Sequence, residues 1–410
     1  MHYSCPADAM KPVKIIRDPI HGGVALNELE LELVDSPQVQ RLRGIKQNGL
    51  CFLVYPAMNS TRFEHSLGVM HLAGMLADHL ELEADEKQLI RIAGLLHDIG
   101  HCAFSHTSDD LLLRMGHSHE ENAIRLISSS EISDILAKHG LDGKKVASLI
   151  SGKGNFGKII SSEIDIDKMD YLIRDSYYAG VAYGIIDLER IIQGMKLYNN
   201  ELVIGKGSQE AVESLLINRN MMYQTVYRHH TKRIVEAMFK RALQKFVDDE
   251  QVGYEEFIKM DDSDLVYRLR NSKDYSQQMM ERIDKRRLFK IFYSEKISKI
   301  EENFRRDMIE KERVIEEQIA ADFGVEAGYV LLDMPETKMS EFRIRIESDE
   351  GLKYIHEIST LARSLKESEE EKMDFCVYSP PEQLGKFKGF DMEKYIEFTQ
   401  KRLNKFIEKA

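Results

Sequence analysis

The feature that most constrains this chain is a concentration of histidine beside acid. Eight of its fourteen histidines (His65, His71, His79, His97, His101, His106, His117 and His119) fall within residues 65–119, and Asp98 follows His97 directly. The stretch EKQLIRIAGLLHDIGH (86–101) repeats apolar residues at helical spacing. His97 falls one turn after Ala93 and two after Ile90, on the face such a helix buries. An imidazole and a carboxylate buried there without partners would be costly. A divalent cation resolves that cost, because imidazole nitrogen and carboxylate oxygen are both natural ligands for it. Two ligands do not make a site, so others must arrive from distant segments. Thr61-Arg62-Phe63-Glu64 has capping-box spacing before an apolar-periodic stretch to about Leu80, which places His65 in the first turns of that helix. A further carboxylate is needed, and SSEIDIDKMDYLIRD (161–175) offers Asp165, Asp167 and Asp170 without distinguishing them. Any one buried histidine is ordinarily a hydrogen-bonded core residue, and a lone acidic helix is ordinarily a solvated face. The combination is what points to a metal.

At 410 residues the chain exceeds one compact core, which predicts a large domain with an appended lobe. The expected parts are residues 1–45 as an N-terminal hairpin and helix, 46–245 as a helical core, and 246–410 as a C-terminal α+β lobe. A formal net charge of −12 argues against non-specific nucleic-acid binding as the main activity, because that requires a strong positive field. Cys5, Cys51, Cys102 and Cys376 are scattered without a Cys-x-x-Cys pair, the pattern of free thiols in a reducing cytoplasm. No apolar run approaches the ~18–20 residues of a membrane span, and the first residues lack a signal-peptide pattern. The expectation is a cytoplasmic protein.

Several elements are legible. Residues 13–26 predict two short strands around a Pro/Gly turn. Ser36-Pro37 predicts a helix running through Gln47. Two helical pieces are expected from Ser162 to Arg190, broken near Gly180 and Gly184, then a hairpin around Asn199-Asn200 with Leu202-Val203-Ile204 as its second strand. Helix is expected from Gln209 to about Asp248, a long charged helix over 276–321, two strands in 328–346, and a last helix over 391–408.

Four strings in order, RFEHSLGV (62–69), LLHDIGHCAFSH (95–106), GHSHEEN (116–122) and DIDKMDYLIRDSYYAG (165–180), continue through NRNMMYQTVYRHHTKR (218–233). Together they resemble the HD-superfamily deoxynucleoside-triphosphate triphosphohydrolases, in particular the SAM-and-HD-domain branch and its prokaryotic relatives without the SAM domain. The resemblance covers about residues 13–245 and continues more loosely into the C-terminal part, on the prokaryotic branch only. It implies a mainly α fold: an HD-domain helical core with small β-hairpins and a C-terminal α+β lobe. The implied metal ligands are His65, His97, Asp98 and Asp167, the family pattern D-x-D-K-x-D-Y selecting the middle acid. The implied cofactor is a divalent ion, Mn, Fe, Zn or Ni at the His/Asp site, with Mg on the phosphates.

His101, His106 and His119 match catalytic histidines, with Asp109 beside them. Cleaving the bond between the α-phosphate and the 5′-oxygen leaves an alkoxide that needs a proton, a task suited to histidine near neutral pH. On that chemistry the expected general acid is His106, oriented by Asp109, with His101 and His119 binding the α-phosphate or relaying protons. Arg62, Lys168 and Arg219 match triphosphate contacts, while Gln47, Tyr171, Asp175 and Tyr227 match positions around the deoxyribose and base. Asp35, Gln40 and Arg43 match a guanine-reading activator site, with Lys14 and Arg190 near its phosphates. Such an activator would sit between subunits and favour a homo-oligomer, a dimer or tetramer.

Two departures matter. Cys102-Ala103 stand where the family has Gly-Pro, which would loosen the loop carrying His106. Asn48 stands where the animal enzyme has a leucine that helps exclude a 2′-hydroxyl, which weakens strict deoxy selectivity. Among rivals, alarmone hydrolases carry H-D-x-x-E-D and cyclic-dinucleotide phosphodiesterases H-H-E…G-Y-P, neither of which matches here. Another HD nucleotide phosphohydrolase remains an alternative. A nucleotide-sensing or nucleic-acid-binding scaffold, using basic clusters at 228–233 and 285–290, is another, but such a scaffold has no need of His101, His106, Asp109 and His119.

Overall fold

A computed structural model describes residues 11–154, 156–199, 201–335 and 342–395. The Pro/Gly turn closes an antiparallel hairpin of β1 (Lys14–Asp18) and β2 (Gly22–Leu26), in register from Lys14↔Leu26 to Asp18↔Gly22. Asn27 and Glu30 then form a reciprocal capping box at the start of α1 (Glu28–Asp35). The helix expected from Ser36 through Gln47 stops short. It gives an α-helical turn, Pro37–Gln40, and a 3₁₀ turn, Arg41–Gly44, before Ile45 becomes extended. Tertiary pairing overrides the local pattern there: Ile45 O accepts from Arg62 N at 2.9 Å, and Gln47 N donates to Ser60 O at 2.9 Å. Gln47 and Asn48 therefore lie on an irregular segment beside the start of the next helix.

That helix, α2 (Arg62–His79), is buried on nearly every side and shares one apolar core with α3 (Ala84–Leu96) through Leu67, Met70, Leu72, Ile92, Ala93 and Leu96. Only half of its expected capping box forms. Thr61 accepts from Glu64 N at 3.4 Å, while the Glu64 carboxylate accepts from Tyr178 OH at 2.8 Å. A loop then leads to α4 (Ser105–Arg114) and α5 (His119–Ser129), followed by short helices at Glu131–Lys138, Gly143–Ile150 and Gly157–Ile160. α6 (Ile166–Ala179) ends on Gly180, whose left-handed φ of +68° supplies the C-cap.

The expected hairpin follows as β3 (Met195–Tyr198) and β4 (Glu201–Ile204), with Asn200 outside the described residues. One helix was expected from Gln209 to Asp248; instead α7 (Gln209–Met222) passes into a π-turn at Tyr223–Tyr227 before α8 (His230–Glu250) begins. The wider turn brings the Tyr223 and Tyr227 rings to 5.0 Å.

Two compact units divide the chain: one holds Met1–Tyr227, Val252–Arg268 and Met339–Lys366, the other Arg228–Gln251, Leu269–Lys338 and Glu367–Ala410. The units interleave along the sequence, which a single step near residue 246 does not describe. In the first, β3 and β4 extend through strands Arg345–Ser348 and Gly351–Tyr354 into a four-stranded sheet. In the second, strands Lys290–Lys296, Asp374–Ser379 and Leu331–Asp333 form an antiparallel sheet. The long helix expected over 276–321 is thus corrected. Helix Asp274–Asp284 closes before Arg286 at φ +53°, and the apolar run Ile291-Phe292-Tyr293 pairs as a strand before helices Glu302–Glu310 and Glu312–Asp322. The two strands read in 328–346 exist as Leu331–Asp333 and Arg345–Ser348, in different sheets. Beyond Tyr395, the helix expected over 391–408 lies outside the described residues. Among the described residues no helix is long and apolar enough to cross a membrane. The fold is mainly helical with small sheets, including the C-terminal strands.

Candidate metal centre and active site

The three acids that sequence alone left equivalent have three different jobs. Asp165 is the N-cap of α6, accepting from Lys168 N at 2.8 Å and Ser162 N at 2.8 Å. That cap fixes the phase of the helix. Asp167 then faces the histidines, its Oδ1 2.9 Å from His65 Nε2 and 3.7 Å from His97 Nε2. Asp170 lies on the other side of the His65 ring, 2.7 Å from Nδ1.

Asp98 completes the group, with Oδ1 3.3 Å from His97 Nε2 and Oδ2 3.8 Å from His65 Nε2. One ligand atom each from His65, His97 and Asp98 lies within 4.8 Å of the others. His97 Nδ1 bonds to Gly94 O at 2.8 Å, while its Nε2 is buried without a hydrogen-bond partner. Both imidazoles thus have Nδ1 engaged and Nε2 turned inward, the arrangement of an oriented metal ligand. Two nitrogens and two carboxylates fit a divalent cation.

The electrostatics agree. Burial opposes ionisation of Asp98, yet Arg62, His97 and His101 hold its carboxyl well below the usual range. Burial also works against a charged His65, but Asp167 and Asp170 outweigh it and push its pKa up to about 10. A pocket that negative toward a proton is equally favourable toward a metal cation.

A second histidine group adjoins the first. The His101 and His119 rings stack at 4.1 Å and 19°. His101 Nε2 lies 3.2 Å from Asp98 Oδ1, and His119 Nδ1 lies 3.5 Å from Asp109 Oδ1. Burial and Arg62 push His101 down to about 4, so it is neutral near pH 7. Burial lowers His119, but Asp109 reverses that and leaves it raised. Asp109 thus engages His119, and His119, His101 and His106 together lower its carboxyl against burial. His106 is exposed on the first turn of α4, its ring 6.5 Å from that of His101.

The loop bearing these residues is pinned from several sides. Arg41 donates to Ile99 O at 3.4 Å and to His101 O, and Asn122 Nδ2 donates to Gly100 O at 2.8 Å. Asp262 accepts from Phe104 N at 2.8 Å and from Lys46 N at 2.9 Å. Gly100 permits the close approach of α5, since a Cβ there would lie 2.0 Å from His119 O. Cys102 and Ala103 are both fully buried, and burial pushes the Cys102 thiol up to about 12. The loop is held by packing and by Asp262, not loosened by the loss of Gly-Pro. Asp262→Ala should strand two backbone donors and lower kcat about tenfold or more while metal content, read by elemental analysis, stays unchanged.

The other expected residues divide. Arg62, 2 % exposed, donates to Asp98 at 2.6 Å and to Ser105, so its guanidinium braces a metal ligand. Lys168 Nζ bonds to Asp165 Oδ2 and Ser162 O, each at 2.8 Å, and Arg219 lies 4.4 Å over the Tyr223 ring. Asp175, eight residues after Asp167 on α6, lies roughly 12 Å further along the axis. Asn48 Nδ2 and Tyr227 OH both donate to it at 2.7 Å. Burial raises the Asp175 carboxyl to about 6 against those two bonds. Tyr171 sits between, its ring edge-on to Tyr227 at 6.4 Å, and buried Gln47 Oε1 has no hydrogen-bond partner. At the expected activator site, Arg43 Nε donates to Gln40 Oε1 at 2.9 Å, and the guanidinium covers the Phe63 ring at 3.5 Å. Asp35, Lys14 and Arg190 are exposed, Arg190 donating to Gly207 O. Sequence reasoning missed Arg41, Asn122 and Asp262. Asp262 is 158 residues from Phe104, and no local pattern signals that bond.

The HD-domain family model matches residues 62–175, and the model of an HD-associated region matches residues 186–406. The chain belongs to the HD-domain family, as a metal-dependent phosphohydrolase centre followed by that associated region. It is 39% identical over 404 residues to the uncharacterized protein MJ1154 of Methanocaldococcus jannaschii, covering 97% of this chain and 86% of that one. It is 32% identical over 315 residues to a deoxynucleoside triphosphate triphosphohydrolase SAMHD1 homolog of Dictyostelium discoideum, covering 68% of this chain and spanning 60% of that protein's length. Among solved structures, a hypothetical protein from Aquifex aeolicus superposes with a TM-score of 0.75 at 32% identity, covering 91% of this chain and 98% of that one. A phosphohydrolase from Bacteroides thetaiotaomicron gives 0.73 at 26% identity, covering 90% and 99%.

Proposed function

We propose that this protein hydrolyses deoxynucleoside triphosphates to deoxynucleoside and inorganic triphosphate. The observation that carries the reading is the layout of α6. Asp167 faces the metal centre at one end, and Asp175, gripped by Asn48 and Tyr227, lies two turns on with Tyr171 between. A nucleotide with its α-phosphate at the metal would direct its sugar toward Asp175. Similarity to the Dictyostelium protein supports the same substrate class.

A divalent cation held by His65, His97, Asp98 and Asp167 supplies Lewis-acid polarisation of a phosphoryl oxygen. The chain's own residues supply the rest. Lys168 and Arg219 offset the phosphate charge and hold the ester for in-line attack. Neutral His101 offers a ring nitrogen to the phosphate region, and His119, its pKa raised by Asp109, adds a positive charge there when protonated. Water adds to the α-phosphorus, the bond to the 5′-oxygen breaks, and His106 gives that oxygen its proton. Gln40 and Arg43 are proposed to read a guanine-nucleotide activator, which would favour a homo-oligomer.

The test is incubation of the full chain with each dNTP and Mn²⁺, with and without dGTP, following triphosphate release by chromatography. Release from at least one dNTP is expected. No release from any, under either condition, refutes the proposal. Selectivity gives a second prediction. Asn48→Leu removes a donor that can also meet a 2′-hydroxyl, so the rate ratio of dNTP to rNTP should rise by about tenfold.

A further inference from the structure

The N-terminal hairpin reaches the metal centre through a buried ionic chain. Asp170 bonds through Oδ2 to His65 Nδ1 at 2.7 Å and to Arg174 Nε at 2.8 Å. Its Oδ1 meets His21 Nε2 at 2.6 Å and Arg174 Nη2 at 2.9 Å. Arg174 in turn donates through Nη1 to Asp18 Oδ2 at 2.8 Å. Asp18 closes the circuit by accepting, at Oδ1, the backbone N–H of Ile20 at 2.9 Å and of His21 at 2.8 Å. Asp170 and Arg174 are each 0 % exposed. Room for them comes from α2: a Cβ on Gly68 would lie 1.9 Å from Asp170 Oδ1 and 2.5 Å from Arg174 Nη2.

We infer that Asp18 and His21, on the turn of the β1–β2 hairpin, are positioning residues for the metal site, acting through Asp170 on the ligand His65. The chemistry runs outward from the ring. With its Nδ1–H given to Asp170, His65 presents the Nε2 lone pair toward the centre, and the carboxylate makes that nitrogen a better donor. Asp170 can hold this direction only while its other acceptor sites are occupied. His21 and Arg174 occupy them from two sides, and Asp18 anchors both His21, through the turn, and Arg174. The carboxylates of Asp18 and Asp170 outnumber the one guanidinium of Arg174, leaving these three side chains one negative charge in excess beside the site. That excess favours a bound cation. Order in the hairpin is thereby coupled to metal affinity, although the hairpin supplies no ligand.

This inference builds on the metal-centre reading but not on the nucleotide specificity, so the experiment uses metal alone. The full chain is stripped with chelator and titrated with Mn²⁺ by calorimetry, and the melting temperature of the metal-free form is recorded in parallel. His21→Leu should weaken Mn²⁺ binding about ten- to hundredfold. His21→Gln, whose amide donor replaces Nε2–H, should recover most of the affinity. Asp18→Asn should also weaken binding at least severalfold, and it carries the test if His21→Leu fails to fold. A purely structural role would lower the metal-free melting temperature and leave the Mn²⁺ dissociation constant unchanged. Dissociation constants within twofold of the native value in the folded variants overturn the inference.

Discussion

Asp167→Ala is expected to lose bound divalent metal and turnover together. Asp167 Oδ1 sits 2.9 Å from His65 Nε2, and its side chain is 31% exposed against 1% for His65, which makes it the proposed ligand on the open side of the centre. Alanine removes one donor and one negative charge, leaving two histidines and Asp98. Elemental analysis after dialysis should show metal falling from about one ion per chain to near none. Turnover should fall by about a thousandfold or more, since Lewis-acid stabilisation contributes several kcal/mol to such a transition state. The fold should survive. The cap of α6 belongs to Asp165, and the buried ionic chain belongs to Asp170 and Arg174, so neither depends on residue 167. Circular dichroism and a metal-free melting temperature close to native check that point. A variant that retained full metal content would show that Asp167 is not a ligand.

That separation of roles also shows where sequence ends and structure begins. His97 was legible because the phase of α3, which ends at Leu96, is a local property that carries into its C-cap, and Asp98 followed as the next residue in the turn. The choice among Asp165, Asp167 and Asp170 was not legible from spacing, because it depends on which residue caps α6. Asp165 has the cap, and the resemblance had already favoured Asp167. Gln47 and Asn48 were expected at a helix end, but hydrogen bonds to Ser60 and Arg62 draw that segment out of helix toward the site. The strand Lys290–Lys296 was hidden for another reason. Its flanks are so rich in charge that the helical period masks three consecutive apolar residues, and its partner, Asp374–Ser379, is far along the chain. Asp262 is the extreme case: its value lies entirely in a contact that only the fold creates.

The same logic separates the catalytic histidines, for which His106→Ala is expected to keep its metal and lose turnover on dNTPs by about 10²–10⁴-fold. His101 is poorly placed to give up a proton near neutrality, since burial and Arg62 push it down to about 4. His119 is raised by Asp109 and stacked on His101, which suits a fixed cation better than a group that must release its proton at each turnover. His106, exposed on the first turn of α4, is therefore the proposed donor to the 5′-oxygen. The leaving group distinguishes these roles. A p-nitrophenyl triphosphate ester releases an oxygen that needs no proton, so His106→Ala should cleave it at close to the native rate. His119→Ala should be slow on both substrates, because the charge it provides to the phosphate is needed in either case. The pH profile follows from the sign of the shift. His119 is charged below its raised pKa and loses that charge as pH climbs through it, so native turnover should fall on the alkaline side. The donor His106 must be protonated as well, so an alkaline limb should persist in both His119→Ala and His106→Gln and flatten only when both are replaced. Near-native turnover of dNTPs by His106→Ala would remove His106 from the mechanism and return the donor's role to His119.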